Sequence, residues 1–161
     1  MNYGYLCNEI QHFSAMAKIT VQNTQITVLQ WAEQDYISLT DMASAKEGDS
    51  RSADIIKNWI RNRYTIEFLG TWEVIHNPNF KVVEFDHFRK SAGLPSFVLS
   101  ASEWIECTSA IGLVVKKGRY GGTYAHKDIA FEFGSAISVP FKLYLIEEFQ
   151  RLKTEAVRQL G

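Results

Sequence analysis

Near the start of the chain apolar residues fall on alternate positions, Ile19 and Val21, then Ile26 and Val28, on either side of Asn23-Thr24. Period-two alternation around a turn dipeptide predicts a β-hairpin. A short apolar run at 36–39 follows, and Thr40 stands where a hydroxyl can cap a helix running to about Lys46. Gly48-Asp49-Ser50 then breaks the chain. Ser52 is placed to cap a second helix through Arg63, with Ile56, Trp59, Ile60 and Arg63 at i, i+3, i+4 and i+7. Lys57 and Arg61, four apart, form a polar stripe beside that apolar one. Two helices joined by a short break, with cations beside the buried stripe, outline a helix-turn-helix, an outline that many helical hairpins share.

Further on, Thr65 can open a helix over 66–75 that ends before Asn77-Pro78, and a shorter one at 86–92 stops at Gly93. Ser100 and Glu103 fit a capping box for a helix over 101–110. Runs at 113–117 and 123–125 flank 118–122 as a second hairpin. The last helix, about 140–159, carries Leu145, Phe149, Leu152 and Ala156 at 4-3-4 spacing, which suits a coiled-coil seam and core packing equally. Residues 1–16 show little periodicity and read as an N-terminal tail, with Met16 a second plausible start. These elements predict one α+β domain over 17–153, a small antiparallel sheet or hairpins packed with several helices. Residues 154–161 then end a helix that leads toward a further segment.

Composition narrows the class without naming a function. At 161 residues, 46% hydrophobic and 22% charged, the chain is long enough for one core and far from disordered composition. It holds no apolar run of membrane-spanning length and no signal-peptide layout at its start. Cys7 and Cys107 are too few and too far apart for a zinc site or a disulfide framework, which points to a reducing, cytoplasmic setting. The net charge of −1 is uninformative, but its distribution is not. Between 51 and 63, Arg51, Lys57, Arg61 and Arg63 face one acid, Asp54; between 116 and 127, Lys116, Lys117, Arg119 and Lys127 face none. The two segments carry 3 + 4 = +7, so the remainder carries −8, as a molecule with one basic face requires.

The segment "KKGRYGGTYAH" at 116–126 joins that charge to a hairpin tip. Three glycines permit positive φ and close approach of backbone to a partner. Basic side chains on such a tip, next to a helical pair, describe a wing that touches phosphate or the minor groove. An exposed turn has no folding need for Arg119, which favours phosphate contact. Tyr120 and Tyr124 could pack on sugar or across the sheet, and the structural role is preferred. The enzymatic alternative is thin. His12, His76, His87 and His126 have no metal-ligand spacing, and no HExxH, GxSxG or complete P-loop occurs. His126-Lys127-Asp128 could suggest acid–base chemistry, but Asp128 sits where a helix N-terminus favours an acid. Trp59, Trp72, Trp104, Phe131 and Phe133 could meet a protein partner, though aromatics at helical spacing are more often core.

"ISLTDMASA" at 37–45, "IIKNWIRNRYTIEFLGTWE" at 55–73, "NPNFKVVEFDHFR" at 77–89, "GRYGGTYAHKDIAFEFGSAIS" at 118–138 and "FKLYLIEEFQRLK" at 141–153 closely resemble the KilA-N domain. That family occurs in bacteria, phages and large DNA viruses, is understood as DNA-binding, and is related to the fungal APSES domain, which pairs a helix-turn-helix with a wing. The resemblance implies that 40–63 supplies the helical pair and 113–126 the wing, and that further domains are commonly attached. Two departures, Ala136 where the family has Trp in "SWIS" and Val139-Pro140 in place of "PE", look like changes of packing and helix start.

The expected function is sequence-specific binding of double-stranded DNA by a transcriptional regulator of phage or mobile-element type. The expected contacts are Arg51, Lys57, Arg61 and Arg63 on the helical side, and Lys116, Lys117, Arg119, Tyr120, Gly121, Gly122, Thr123 and Lys127 on the wing side. No cofactor, metal, small-molecule substrate or membrane is expected, and a weak homodimer stays open. The alternative is a protein-interaction module or a nonspecific nucleic-acid binder.

Overall fold

Two tandem hairpins begin the fold. The computed structural model describes residues 15–47, 51–119 and 121–160. Strands β1 (Ala15–Val21) and β2 (Thr24–Trp31) pair antiparallel, with Val21 opposite Thr24. Gln22 (φ 47°) and Asn23 (φ 68°) between them are both left-handed, the two-residue turn whose twist matches the strands it joins. β1 takes in Ala15 and Met16, two residues that the lack of periodicity had left in the tail. β2 then turns through Ala32 (φ 51°) and Glu33 (φ 63°) into β3 (Gln34–Ser38). Neither residue is a turn former, so this second hairpin left no sequence signal. Left-handed backbone costs an ordinary residue roughly 1 kcal/mol or more, most of which Asn and Gly avoid. Ala32→Asn with Glu33→Gly is therefore expected to raise the thermal midpoint by about 2–4 °C. A lower midpoint would show that this turn is not strained as its φ values imply.

β3 runs directly into α1 (Leu39–Glu47), and the cap is Ser38, whose Oγ accepts from the Asp41 amide at 3.0 Å. Thr40, the expected cap, lies inside the first turn because the strand's last residue already provides the hydroxyl. α2 (Ser52–Ile60) starts without a side-chain cap, and Ser52 Oγ is buried with no partner. Nor does α2 reach Arg63. Asn62 Oδ1 accepts from the Tyr64 amide at 2.9 Å and opens α3 (Arg63–His76), which places Arg63 at the start of a different helix and buries Thr65 within it. α3 stops ahead of Asn77-Pro78, as the spacing predicts. α4 (Val82–Ser91) is followed by α5 (Ala101–Thr108), capped by Ser100 Oγ on the Glu103 amide at 3.1 Å. Then come β4 (Leu113–Lys116), β5 (Gly122–His126), α6 (Lys127–Ile137) and α7 (Val139–Leu160).

The described residues thus form seven helices and one five-stranded sheet of order β1-β2-β3-β5-β4, antiparallel throughout, an α+β architecture. Alternation gives the sheet two apolar faces. Ile19, Val21, Ile26, Val28, Ile37, Ala125 and Leu113 join the helices in the main core, while Leu29, Tyr36, Val114 and Tyr124 form a smaller cluster on the other face. The aromatics are largely interior. Trp104 is fully buried among Phe80, Phe85 and Phe88, and Trp59 meets the ring of Phe133 edge-on at 4.8 Å. On α7, Leu145 and Phe149 are buried, Leu152 is half-buried and Ala156 is exposed, so the 4-3-4 seam enters the chain's own core before it runs out into solvent.

Candidate nucleic-acid interface

Strand directions decide which residues share an end of the sheet. β1 and β3 run toward the end from which β2 and β5 depart, so the turn at 22–23, the start of α1 and the β4–β5 hairpin lie together. The hairpin closes with the Gly121 amide donating to the Gly118 carbonyl at 2.9 Å. Its left-handed glycines are Gly118 (φ 83°) and Gly122 (φ 144°). Gly121, where positive φ was expected from sequence, is constrained differently: a Cβ there would lie 2.7 Å from the Gly118 oxygen and 3.0 Å from that of Lys116. Backbone cannot yield as a side-chain tip can. Gly121→Val is thus expected to destabilise the domain by about 1–3 kcal/mol through this clash, measured by denaturant unfolding.

On this hairpin Lys117 and Arg119 are exposed and Lys116 half-buried. Tyr120 lies outside the described residues. The half-buried Thr123 donates its amide to Thr40 Oγ1 at 3.0 Å. Tyr124 belongs to the sheet, with its phenol pushed up to about 12 by burial, which leaves it a packing role.

On α2, Ile56 and Ile60 turn inward while Ala53, Asp54, Lys57 and Asn58 face solvent, with Arg61 half-exposed at the helix end. Arg51 is exposed just ahead of it. Asn58 had not been singled out. It stands four residues after Asp54 and three before Arg61, so helical spacing from the polar stripe would have found it.

Two of the expected contact residues stand apart. Arg63 donates from Nε and Nη2 to the Ala92 carbonyl at 3.4 and 3.3 Å and so ties α3 to the end of α4. Lys127 begins α6 at the far end of β5, roughly 15 Å from Gly122 at the usual rise of a strand, and its Nζ lies 3.2 Å from Asp128 Oδ1.

The root of the hairpin is held by a residue that sequence reasoning missed. Glu73, buried on α3, accepts from the amides of Ile111 (2.8 Å) and Gly112 (2.7 Å) and from Asn77 Nδ2 (2.9 Å). Burial raises its carboxyl above the ordinary value, against those donors and His76, which act the other way. The Tyr36 hydroxyl donates to the Ile111 carbonyl at 2.9 Å, and Gly112 O accepts from the His126 amide at 2.8 Å. An acid seven residues after Ile66 and four after Leu69, on an apolar stripe, was the available signal.

The His126–Asp128 pair is engaged internally. His126 Nε2 meets Gln34 Oε1 at 2.8 Å, its Nδ1 accepts from the Asp128 amide, and Asp128 Oδ2 accepts from Trp72 Nε1 at 3.1 Å. Burial lowers the His126 pKa. For Asp128 burial acts upward, but the Trp72 indole, His126 and Lys127 bring the net shift downward. Among the described residues no cluster of His, Cys, Asp and Glu could hold a metal, and no helix is long and apolar enough to cross a membrane.

The helical pair and the hairpin share a support. α1 packs on α2 and also on β5, with Thr40 bonded to the hairpin. No curated protein and no solved structure matches the chain. The family model of the KilA-N domain, a DNA-binding family, matches residues 19–155, from within β1 to the last turns of α7. A match across that whole span makes this chain a member of the KilA-N family of DNA-binding domains.

Proposed function

We propose that the chain reads specific sites in double-stranded DNA as a transcriptional regulator of phage or mobile-element type, acting on the nucleoid in the cytoplasm. The observation that carries this reading is α1's double role, packed on α2 and hydrogen-bonded to the hairpin at one end of the sheet. In it α1 and α2 are the helix-turn-helix. Lys57, Asn58 and Arg61 face the groove, where an amide can pair with adenine and a guanidinium with guanine. Arg51 contacts phosphate, and Lys116, Lys117 and Arg119 hold the backbone as the wing, with Gly121, Gly122 and Thr123 shaping its approach. Arg63 and Lys127 serve the scaffold. No cofactor or small-molecule substrate has a part, and self-association is weak at most.

Six cations, Arg51, Lys57, Arg61, Lys116, Lys117 and Arg119, then meet DNA. With four to six phosphates neutralised, log K should fall against log salt with a slope of about −4 to −5. Arg119→Ala is expected to leave the thermal midpoint nearly unchanged while the slope becomes shallower by about one. Equal binding by this variant at every salt concentration would remove the wing from the interface. The deciding experiment is selection of bound sequences from a random duplex pool. An enriched motif supports the regulator, retention without enrichment makes the chain a nonspecific binder, and no retention at low salt favours a protein-interaction module.

A further inference from the structure

We infer that Thr40 is a positioning residue for DNA binding, one that orients the wing against the helical pair without touching DNA itself. The role rests on the DNA-binding reading above. Its physical basis is a ladder that ends early. β3 and β5 pair through Ser38 and Tyr124, and the next pair in that register would be Leu39 with Thr123. By then β3 has already become α1, so no strand carbonyl is left for the outgoing Thr123 amide. The Thr40 hydroxyl takes that place, accepting from Thr123 N at 3.0 Å.

A second contact confirms how closely the two segments approach. Gly122 has φ 144°, and a Cβ on it would come within 2.7 Å of Thr40 Oγ1 and 3.0 Å of Thr40 Cβ. Thr40 is itself held firmly. The neighbouring Asp41 accepts from the Thr27 amide at 2.8 Å, and the Asp41 amide donates to Ser38 Oγ at 3.0 Å. The first turn of α1 is thus fastened to β2 on one side and to β5 on the other. Beyond the Ser38–Tyr124 pair, the segment carrying Lys117 and Arg119 is a projection whose other ladder is β4, the sheet edge. The Thr40–Thr123 hydrogen bond ties it to α1, and through α1 to α2.

The test compares Thr40→Val, which keeps the shape and removes the acceptor, with Thr40→Ser, which keeps the acceptor. In the DNA-free protein the Thr123 amide is expected to exchange about tenfold faster in Thr40→Val, the effect of one lost hydrogen bond. Affinity for a duplex taken from the selection should fall about tenfold, and the salt slope should become shallower by one to three. Thr40→Ser should match the parent in all three. Unchanged Thr123 exchange, or wing loosening with parental affinity and slope, overturns the role. So does a loss of affinity with Thr123 protection intact, since Thr40 would then be touching DNA. A parent chain that retains no duplex overturns the DNA-binding reading and this role together. A parent that binds beside an indifferent Thr40→Val overturns this role alone.

Discussion

Lys57→Glu combined with Arg61→Glu is expected to lower affinity for duplex DNA by at least about a hundredfold at moderate salt, with the fold intact. Lys57 is exposed and Arg61 half-exposed, and among the described residues neither enters an ion pair, so their reversal breaks no internal partner. Each reversal changes the local charge by two, removing a cation that displaces counterions from phosphate and adding an anion that repels it. The salt slope should become shallower by about two. Lys90→Glu, on the exposed side of α4, is the control. If it weakens binding as much per charge, attraction is general and α2 has no special place. If the double variant binds like the parent, α2 is not in the interface.

Glu73→Ala is expected to cost about 3–5 kcal/mol of folding stability, the largest effect of any single change considered. The variant leaves the Ile111 and Gly112 amides without their acceptor and removes one of the two acceptors of Asn77 Nδ2, which keeps the Ser109 carbonyl, around a side chain that is itself buried. Glu73→Gln keeps the volume but replaces one oxygen by an amide donor that must face other donors, at about 1–3 kcal/mol. Because the 110–112 loop leads into β4, the loosened variants should also show faster amide exchange across the hairpin. The pH dependence has a definite sign. Burial raises this carboxyl in the folded state above its ordinary value near 4.5, so the folded chain binds the proton more tightly than the unfolded one. The stability it contributes is full below about 4.5 and is lost as pH rises through the folded value. Glu73→Gln should lack that slope. Denaturant unfolding from pH 4 to 7 reads both effects, and a Glu73→Ala domain as stable as the parent would make this network dispensable.

Much of the fold was legible because short-range patterns carry it. The alternation at 19–28, the Ser100 cap, the stop before Asn77-Pro78 and the hairpin around 118–122 all depend on neighbours within a few residues. The errors have a common cause. Thr40 and Ser52 looked like caps because they precede helical runs, yet one is used across the sheet and the other is buried, and both facts depend on distant residues. Arg63 looked like the end of α2 because its spacing fits, until Asn62 caps a new helix and Ala92 takes the guanidinium. The turn at 32–33 carries no turn residue, so only the packing of β2 against β3 imposes it.

The sequence by itself determined that this chain has α2's cations at helical spacing, a glycine-rich basic hairpin and motifs specific enough for family membership. These depend on side-chain chemistry and local spacing, which a linear chain states directly. Tertiary structure alone decided which of those cations stand together. Lys116, Lys117 and Arg119 project at the end of the sheet where α1 begins, while Lys127, close to them in sequence, is carried to the opposite end by the length of β5. It also decided that Thr40 and Glu73 hold the hairpin, since a hydroxyl 83 residues from its donor and a carboxylate 38 and 39 residues from its donors meet only when the sheet closes and α3 packs.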